Sequence, residues 1–291
     1  MFDPQQSPYD PAAALSLLEA AASAGDAAAH RRLAALAAAG VGRAQNWSYA
    51  LDHLKQAATL GDANAAAQLT LLRAGPQGQE RDATVSHWLQ SPDKTSLCET
   101  PRIRSLPAFI SPTVCAWLIQ RAVTQLAPAQ IYDSNSGQAT ADHSRSNWEA
   151  DFGPLALDVV QALVRARIAA ALQVPVAVFE PSKVLHYQAG QCFETHFDFL
   201  DPALPGFAAE LAQRGQRIAT LLIALNDDYQ GGETHFPLID LAWRGKTGDA
   251  LLFANVTPEQ RPDRLTLHAG LPPNQGEKWL FSQWIRNQTP R

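Results

Sequence analysis

Cysteine is scarce in this chain: Cys98, Cys115 and Cys192 are the only three, an odd number with no CxxC pair. That excludes a disulfide framework and a thiolate zinc site and leaves free thiols as the expectation. Charge is thin as well, at 18% of residues, with 23 Lys plus Arg against 28 Asp plus Glu and a formal net charge of -5. No bulk positive field is offered to nucleic acid or to an anionic membrane, so neither is an expected partner. No apolar run reaches transmembrane length, and the opening Met1-Phe2-Asp3-Pro4-Gln5-Gln6 has neither the basic end nor the apolar stretch of a secretion signal. A cytoplasmic protein is expected. What is plentiful is apolar: 46% of the 291 residues are hydrophobic, enough for a sizeable core and incompatible with a disordered or collagen-like chain. The length suits one large domain, or one domain with an annex.

An internal repeat organises the start of the chain. Leu18 is answered by Leu54, Ala21 by Ala57, Gly25-Asp26 by Gly61-Asp62, Ala29 by Ala65 and Leu33 by Leu69, at a constant offset of 36. Each unit reads as a helix ended by glycine and a second helix opened by aspartate, with alanines that let neighbouring helices approach closely. Residues 10–75 resemble Sel-one-like repeats, relatives of the tetratricopeptide repeat, which implies a protein-binding role. The alternative is a helical cap that stabilises the next domain, because two repeats are few for a solenoid.

Gly75-Pro76-Gln77-Gly78-Gln79-Glu80 is a breaker cluster, and residues 76–97 read as a linker with one short helix at Val85 to Leu89. Residues 98–291 then form the second domain. Ser111-Pro112 opens a helix to about Leu126, and another runs from about Leu155 to Leu172. Short β-type runs follow at Val184 to Tyr187, Arg217 to Leu225, Ala250 to Phe253, Leu265 to His268 and Lys278 to Ile285. The expected class is α+β, a helix-buttressed β-sandwich or jelly roll preceded by a small all-α region.

His196-Phe197-Asp198 is an HxD triplet at a strand end, and the two-residue strand period puts imidazole and carboxylate on one face. A third neutral nitrogen completes a 2-His-1-carboxylate triad, which leaves three adjacent positions open on a non-haem ferrous ion. His268 is the candidate, brought across the sandwich by a facing strand. Lys278 opens the alternating strand Lys278-Trp279-Leu280-Phe281-Ser282-Gln283-Trp284. If it points inward, so do Leu280, Ser282 and Trp284, and a cation lies at the bottom of an apolar pocket, suited to the far end of a dicarboxylate. The alternative is a surface lysine at the strand rim.

Tyr187-x-x-Gly190-x-x-Phe193-x-x-His196-x-Asp198, Arg217-x-x-Thr220-x-Leu222, Asn226-Asp227, Gly231-Gly232-x-Thr234-x-Phe236-Pro237, Gly248-x-Ala250, His268-Ala269-Gly270 and Gly276-Glu277-Lys278-Trp279 resemble the prolyl 4-hydroxylase branch of the iron(II)/2-oxoglutarate oxygenases. The likeness extends over about residues 100 to 291 and takes in Ser111-Pro112 and Arg145-Ser146. It implies a double-stranded β-helix, Fe(II), 2-oxoglutarate and O2 as reactants, ascorbate as reductant, and hydroxylation of a protein or peptide, at proline, with decarboxylation to succinate. His196, Asp198 and His268 become the iron ligands and Lys278 the partner of the oxoglutarate distal carboxylate. Tyr187 and Thr220 become donors to that carboxylate, and Trp284 packs near substrate or cosubstrate. The repeats are expected to help recruit the target.

Other residues carry weaker expectations. Arg145, Phe193 and Trp243, with Arg244 beside it, are candidates for substrate contact. Phe193 departs from the family, where many relatives have tyrosine, which bears on prolyl specificity. Residues 201–216 are a candidate lid or substrate loop. Gly231-Gly232 reads as a plain hairpin turn, and Asp26 and Asp62 as helix caps. Two rival functions stand beside the leading one: hydroxylation of a free amino acid or other small molecule, and an interaction scaffold with a catalytically silent barrel.

Overall fold

In the computed structural model, residues 10–76, 85–132, 136–140, 142–153 and 156–289 are described. The opening residues, the later part of the Gly75 to Glu80 cluster and Leu155, the expected start of the second long helix, lie outside them. The helices are α1 (Pro11–Ser23), α2 (Ala27–Ala39), α3 (Trp47–Thr59), α4 (Ala63–Ala74), α5 (Pro112–Val123), α6 (Val159–Leu172) and α7 (Ala208–Arg214). Among the described residues no helix is long and apolar enough to cross a membrane. Contacts divide the chain into two compact units, residues 1–91 with 152–173 and residues 92–151 with 174–291.

The first unit is helical, and its sequence repeat is a repeat of helix-end chemistry. Gly25 and Gly61 take the same left-handed conformation after α1 and α3, φ 89° and 92°, which a side chain would resist. Asp26 then accepts from the Ala28 and Ala29 amides at 2.8 and 3.0 Å, and Asp62 from the Ala65 amide at 2.8 Å. Both are N-caps, as expected. Ala34, Ala37, Ala38, Ala50 and Ala57 are buried, so the alanines do serve close packing.

Helix α6 belongs to this unit, not to the domain expected from residue 98 onward. Asp158 and Gln161 close its first turn as a capping box. The Val159 amide donates to the fully buried Gln68 of α4 at 3.0 Å, and Arg167 donates to the carbonyls of Trp88 and Gln90 at 3.1 and 3.2 Å. Apolar periodicity identifies the helix, but these two polar contacts to residues distant in sequence have no periodic signature.

The second unit is an antiparallel β-structure. Its strands are β1 (Thr95–Cys98), β2 (Ile103–Leu106), β3 (Ala127–Pro128), β4 (Ile131–Tyr132), β5 (Ala139–Thr140), β6 (Trp148–Phe152), β7 (Ser182–Tyr187), β8 (Phe193–His196), β9 (Arg217–Ala224), β10 (Gln230–Gly231), β11 (Thr234–Phe236), β12 (Leu241–Trp243), β13 (Ala250–Ala254), β14 (His268–Gly270), β15 (Pro273–Gln275) and β16 (Lys278–Arg286). Eight of them form one sheet, in the order β1-β2-β13-β9-β16-β7-β6-β3, and four form another, β12-β11-β14-β8. Leu185, Leu222, Phe253 and Leu280 of the larger sheet share a core with Phe236 and Trp243 of the smaller. The central strands β9 and β16 are buried on both faces, which explains the nearly unbroken apolar run of β9.

Two local expectations are overturned. Arg264–Thr266 is a 3₁₀ turn whose Leu265 amide is taken by Asp263 at 3.0 Å, so the expected strand from Leu265 begins only at His268. Gly231-Gly232 is no simple hairpin, because β10 pairs with β15 while β11 pairs with β12 and β14.

One buried ion cluster ties this unit together. Glu180 accepts from Arg217 Nε and Nη2 at 2.6 and 3.0 Å and from Arg286 Nε, and Arg286 Nη2 reaches Glu210 of α7 at 2.6 Å. Burial works to raise the Glu180 carboxyl, but the charges of Arg217 and Arg286 outweigh it and hold it below the usual carboxylate range. Glu180→Ala removes the buried carboxylate shared by two guanidiniums and should cost about 3–5 kcal/mol in urea unfolding. A loss below about 1 kcal/mol would contradict the burial of this cluster.

Candidate functional site

Strands β8 and β14 pair with His196 directly opposite His268, so both imidazoles leave one small sheet side by side, ring centroids 4.3 Å apart. The sequence expectation of a strand facing across the sandwich is therefore corrected: the two histidines are neighbours within a sheet. Asp198, two residues past His196, brings Oδ1 to 3.8 Å from His196 Nε2 and Oδ2 to 3.7 Å from His268 Nε2. The three ligand atoms lie within 4.8 Å of one another, the only such group of three or more His, Cys, Asp or Glu among the described residues.

Each imidazole is aimed by the same local device. His196 Nδ1 lies 2.7 Å from the Glu194 carbonyl and His268 Nδ1 2.9 Å from the Thr266 carbonyl, so each Nδ1 carries the proton and each Nε2 offers its lone pair to the centre. Phe193 stacks on His196 at 3.5 Å, and Phe236 and Phe253 flank His268 at 5.4 and 4.9 Å. Burial, then the neighbouring His268, push His196 down to about 3, so it is neutral as a ligand must be. Burial works to raise Asp198, but His268, His196 and a hydrogen bond from Thr220 prevail and keep it ionised. Two neutral nitrogens and one carboxylate fit a ferrous ion held on one face, with room for other ligands.

Lys278 points inward. It opens β16 opposite Tyr187, is 1% exposed, and no hydrogen-bond acceptor among the described residues reaches its Nζ, which sits 4.9 Å from the Tyr187 ring. Asn226 brackets it, donating to the Glu277 carbonyl and accepting from the Trp279 amide at 2.7 and 2.8 Å. A Cβ on Gly232 would lie 3.3 Å from the lysine stem, so glycine leaves space for the chain. Burial pushes Lys278 down to about 7, against an opposing pull from Glu233. An unpartnered buried ammonium fits an anionic guest.

Lys278, Leu280, Ser282 and Trp284 all line one cavity with the triad, as the strand period predicts, together with Tyr187 and Thr234. A second cavity of about 420 Å³ shares His196, Asp198, Arg145, Phe193 and Trp284 with the first and is walled by Phe197, Phe199, Phe207 and Arg217. The triad stands where a narrow cationic recess meets an open aromatic groove. Leu204 and Phe207, from the expected lid segment 201–216, do line that groove.

Two expectations fail. Thr220 pairs in register with Trp284, at the far end of β16 from Lys278, and its hydroxyl lies 2.6 Å from Asp198 Oδ2. It supports the carboxylate; the threonine that lines the cavity with Lys278 is Thr234, for which Gly231-Gly232-x-Thr234 is the available signal. Trp243 lies in the core between the sheets and lines neither cavity. Arg145 lines both cavities, buried over the Phe193 ring at 4.6 Å and paired with Glu149 at 2.7 Å. Glu149 also binds Lys183 at 2.6 Å, a contact with no motif to announce it.

Residues 182–286, which hold all three donors and Lys278, match the 2OG-Fe(II) oxygenase superfamily. Probable prolyl 4-hydroxylase 7 of Arabidopsis thaliana is 32% identical over 213 residues, 66% of this chain and 64% of that protein. Probable prolyl 4-hydroxylase 6 of the same plant is 33% identical over 214 residues, 66% of this chain and 71% of that protein. A solved viral collagen prolyl hydroxylase from Paramecium bursaria Chlorella virus-1, in its 2OG complex, is 26% identical with a TM-score of 0.49, over 65% of this chain and 98% of that one. The chain spans just under two thirds of the first of these relatives and more of the other two. It belongs to the prolyl 4-hydroxylase family of the 2OG-Fe(II) oxygenases. Its enzyme class is therefore 2-oxoglutarate-dependent dioxygenase, with iron(II), 2-oxoglutarate and dioxygen as the reactants the family uses.

The buried lysine gives a pH signature. Unfolded, it titrates near about 10.4, so between roughly pH 7 and 10 the unfolded chain binds the extra proton and stability rises with pH. In the ligand-free protein the urea midpoint should climb from about pH 7 to 9, and Lys278→Met should flatten the climb. Parallel curves for the two proteins would show that Lys278 is not a free buried ammonium.

Proposed function

We propose that the protein hydroxylates a prolyl residue of a protein or peptide and converts 2-oxoglutarate to succinate in the same turnover. The observation that carries this reading is the meeting of the His196, Asp198 and His268 donors with a recess lined by Lys278 and a second cavity of about 420 Å³. The two-sheet sandwich is read as a double-stranded β-helix, and residues 10–75 as Sel-one-like repeats that recruit the target. Ascorbate is the proposed reductant. A cytoplasmic setting agrees with three unpaired cysteines.

His196 Nε2, His268 Nε2 and the Asp198 carboxylate would hold iron(II). Bound there, the metal supplies the oxidising power: it activates dioxygen at the expense of the oxoacid so that an unactivated C–H bond can be attacked. The chain supplies placement. Lys278 takes the distal carboxylate of 2-oxoglutarate, regaining the charge that burial suppresses, and its position at the closed end of the recess fixes the oxoacid's reach toward the triad. Burial pushes the Tyr187 phenol up to about 12, so it remains a neutral donor beside that carboxylate, and the Thr234 hydroxyl lines the same end. Leu185, Leu222 and Leu280 line the recess and exclude water.

On the groove side, Phe193 covers His196 and Trp284 is held by the Arg217 guanidinium at 3.7 Å. These rings present a flat apolar floor to a proline ring, and Arg145 and Arg217, whose guanidiniums are held by Glu149 and Glu180, form the walls beside it. Phe193 has no phenol to offer, so ring contact replaces a hydrogen bond there. The groove's volume favours a peptide over a free amino acid.

His268→Ala should abolish anaerobic iron(II) binding and succinate formation together; unchanged turnover contradicts the triad. Lys278→Ala should retain iron binding while the 2-oxoglutarate requirement rises about 30-fold or more, equivalent to about 2 kcal/mol. An unaltered requirement moves the oxoacid out of this recess. Mass spectrometry of proline-containing peptides should find one oxygen gained per succinate released, and a gain only on free amino acids would replace the peptide reading with the small-molecule one.

A further inference from the structure

Asn255 lines neither cavity, yet it is fully buried and anchored. Its amide donates to the Ile218 carbonyl at 2.8 Å and its carbonyl accepts from Asp263 at 3.0 Å. Its side-chain nitrogen is 3.0 Å from the Thr220 hydroxyl, which is itself 2.6 Å from Asp198 Oδ2. Chemistry fixes the direction of both bonds. An ionised carboxylate only accepts, so Thr220 gives its single proton to Asp198 and can then only accept from Asn255. The amide must therefore present nitrogen, and its oxygen is left buried without a partner. Such a group is retained where something offsets its penalty.

The offset lies at Asp198. Its two oxygens have equivalent outlooks, Oδ1 toward His196 Nε2 at 3.8 Å and Oδ2 toward His268 Nε2 at 3.7 Å. Nothing but the Thr220 hydrogen bond distinguishes them among the described contacts, and it engages Oδ2 alone. A carboxylate that used both oxygens would raise the protein's share of a six-position ion from three positions to four. The two left over would suffice for a chelating oxoacid and exclude dioxygen.

Resting on the triad reading above, we propose that Asn255 and Thr220 are positioning residues that restrict Asp198 to one-oxygen ligation through Oδ1. Asn255 fixes the polarity of the hydroxyl, and the hydroxyl withholds Oδ2 from the metal. Three positions then remain for the oxoacid and dioxygen.

The test uses the full chain loaded anaerobically with iron(II) and 2-oxoglutarate, read by iron affinity and by the visible charge-transfer band of the complex. Thr220→Val keeps the volume and removes the hydroxyl. It should lower iron affinity about 10- to 100-fold and shift the band, and Thr220→Ser should restore both. Asn255→Leu should move both readouts the same way by less, and it carries the test if Thr220→Val does not fold. An unchanged band and affinity in either folded variant overturns the proposal, as does a Thr220→Ser protein displaced as far as Thr220→Val. Failure of the triad reading is separable, because the unsubstituted chain itself would then bind no iron and develop no band.

Discussion

A single rung of one antiparallel ladder, His196 against His268, governs the geometry of the whole site. Opposed residues on paired strands hold their Cβ atoms about 5 Å apart without help from any loop. A register slip of one residue would send one imidazole to the other face of the sheet and leave Asp198 with a single nitrogen. The rest of the sandwich defends that register. Phe236 and Phe253 of the core flank the His268 ring, and the backbone carbonyls two residues before each histidine hold the outer ring nitrogens. The face that would hold the metal is thus made by the same contacts that stabilise the fold.

Charge distribution distinguishes the site from the rest of the interior. Glu180 is matched by Arg217 and Arg286, and Glu149 by Arg145 and Lys183, so those buried charges are balanced within the protein. Lys278 is equally buried and has no hydrogen-bond acceptor. Burial alone suppresses its charge in the ligand-free protein, and an anionic guest would restore it, which is how a structural charge differs from the binding charge proposed here. The Asn255 oxygen is a smaller case of the same kind, an unmet group whose compensation lies two bonds away at Asp198.

Much of this was readable from local pattern. HxD needs only the period of a strand, the inward face of β16 follows from alternation once Lys278 is placed, and the caps at Asp26 and Asp62 are short-range chemistry. The failures share one cause, dependence on which strands and helices become neighbours. Thr220 does face the site, but its distance from Lys278 is set by the β9 and β16 register, which pairs it with Trp284. Trp243, by sequence a candidate for substrate contact, lies in the core because β12 pairs with β11. Helix α6 was assigned by its position in the chain, whereas Gln68, far from it in sequence, holds its first turn. Asn255 stands outside every strand and motif, and only the folded chain brings it to Thr220.

The central claim is that the His196, Asp198 and His268 donors hold one divalent ion beside an oxoacid anchored on Lys278. Anomalous diffraction from crystals grown with manganese(II), which does not react here with oxygen, and 2-oxoglutarate addresses it directly. One peak is expected, bonded to both Nε2 atoms and to Asp198 Oδ1, with the distal carboxylate against Lys278 Nζ. A peak elsewhere, or an oxoacid whose distal end avoids Lys278, contradicts it.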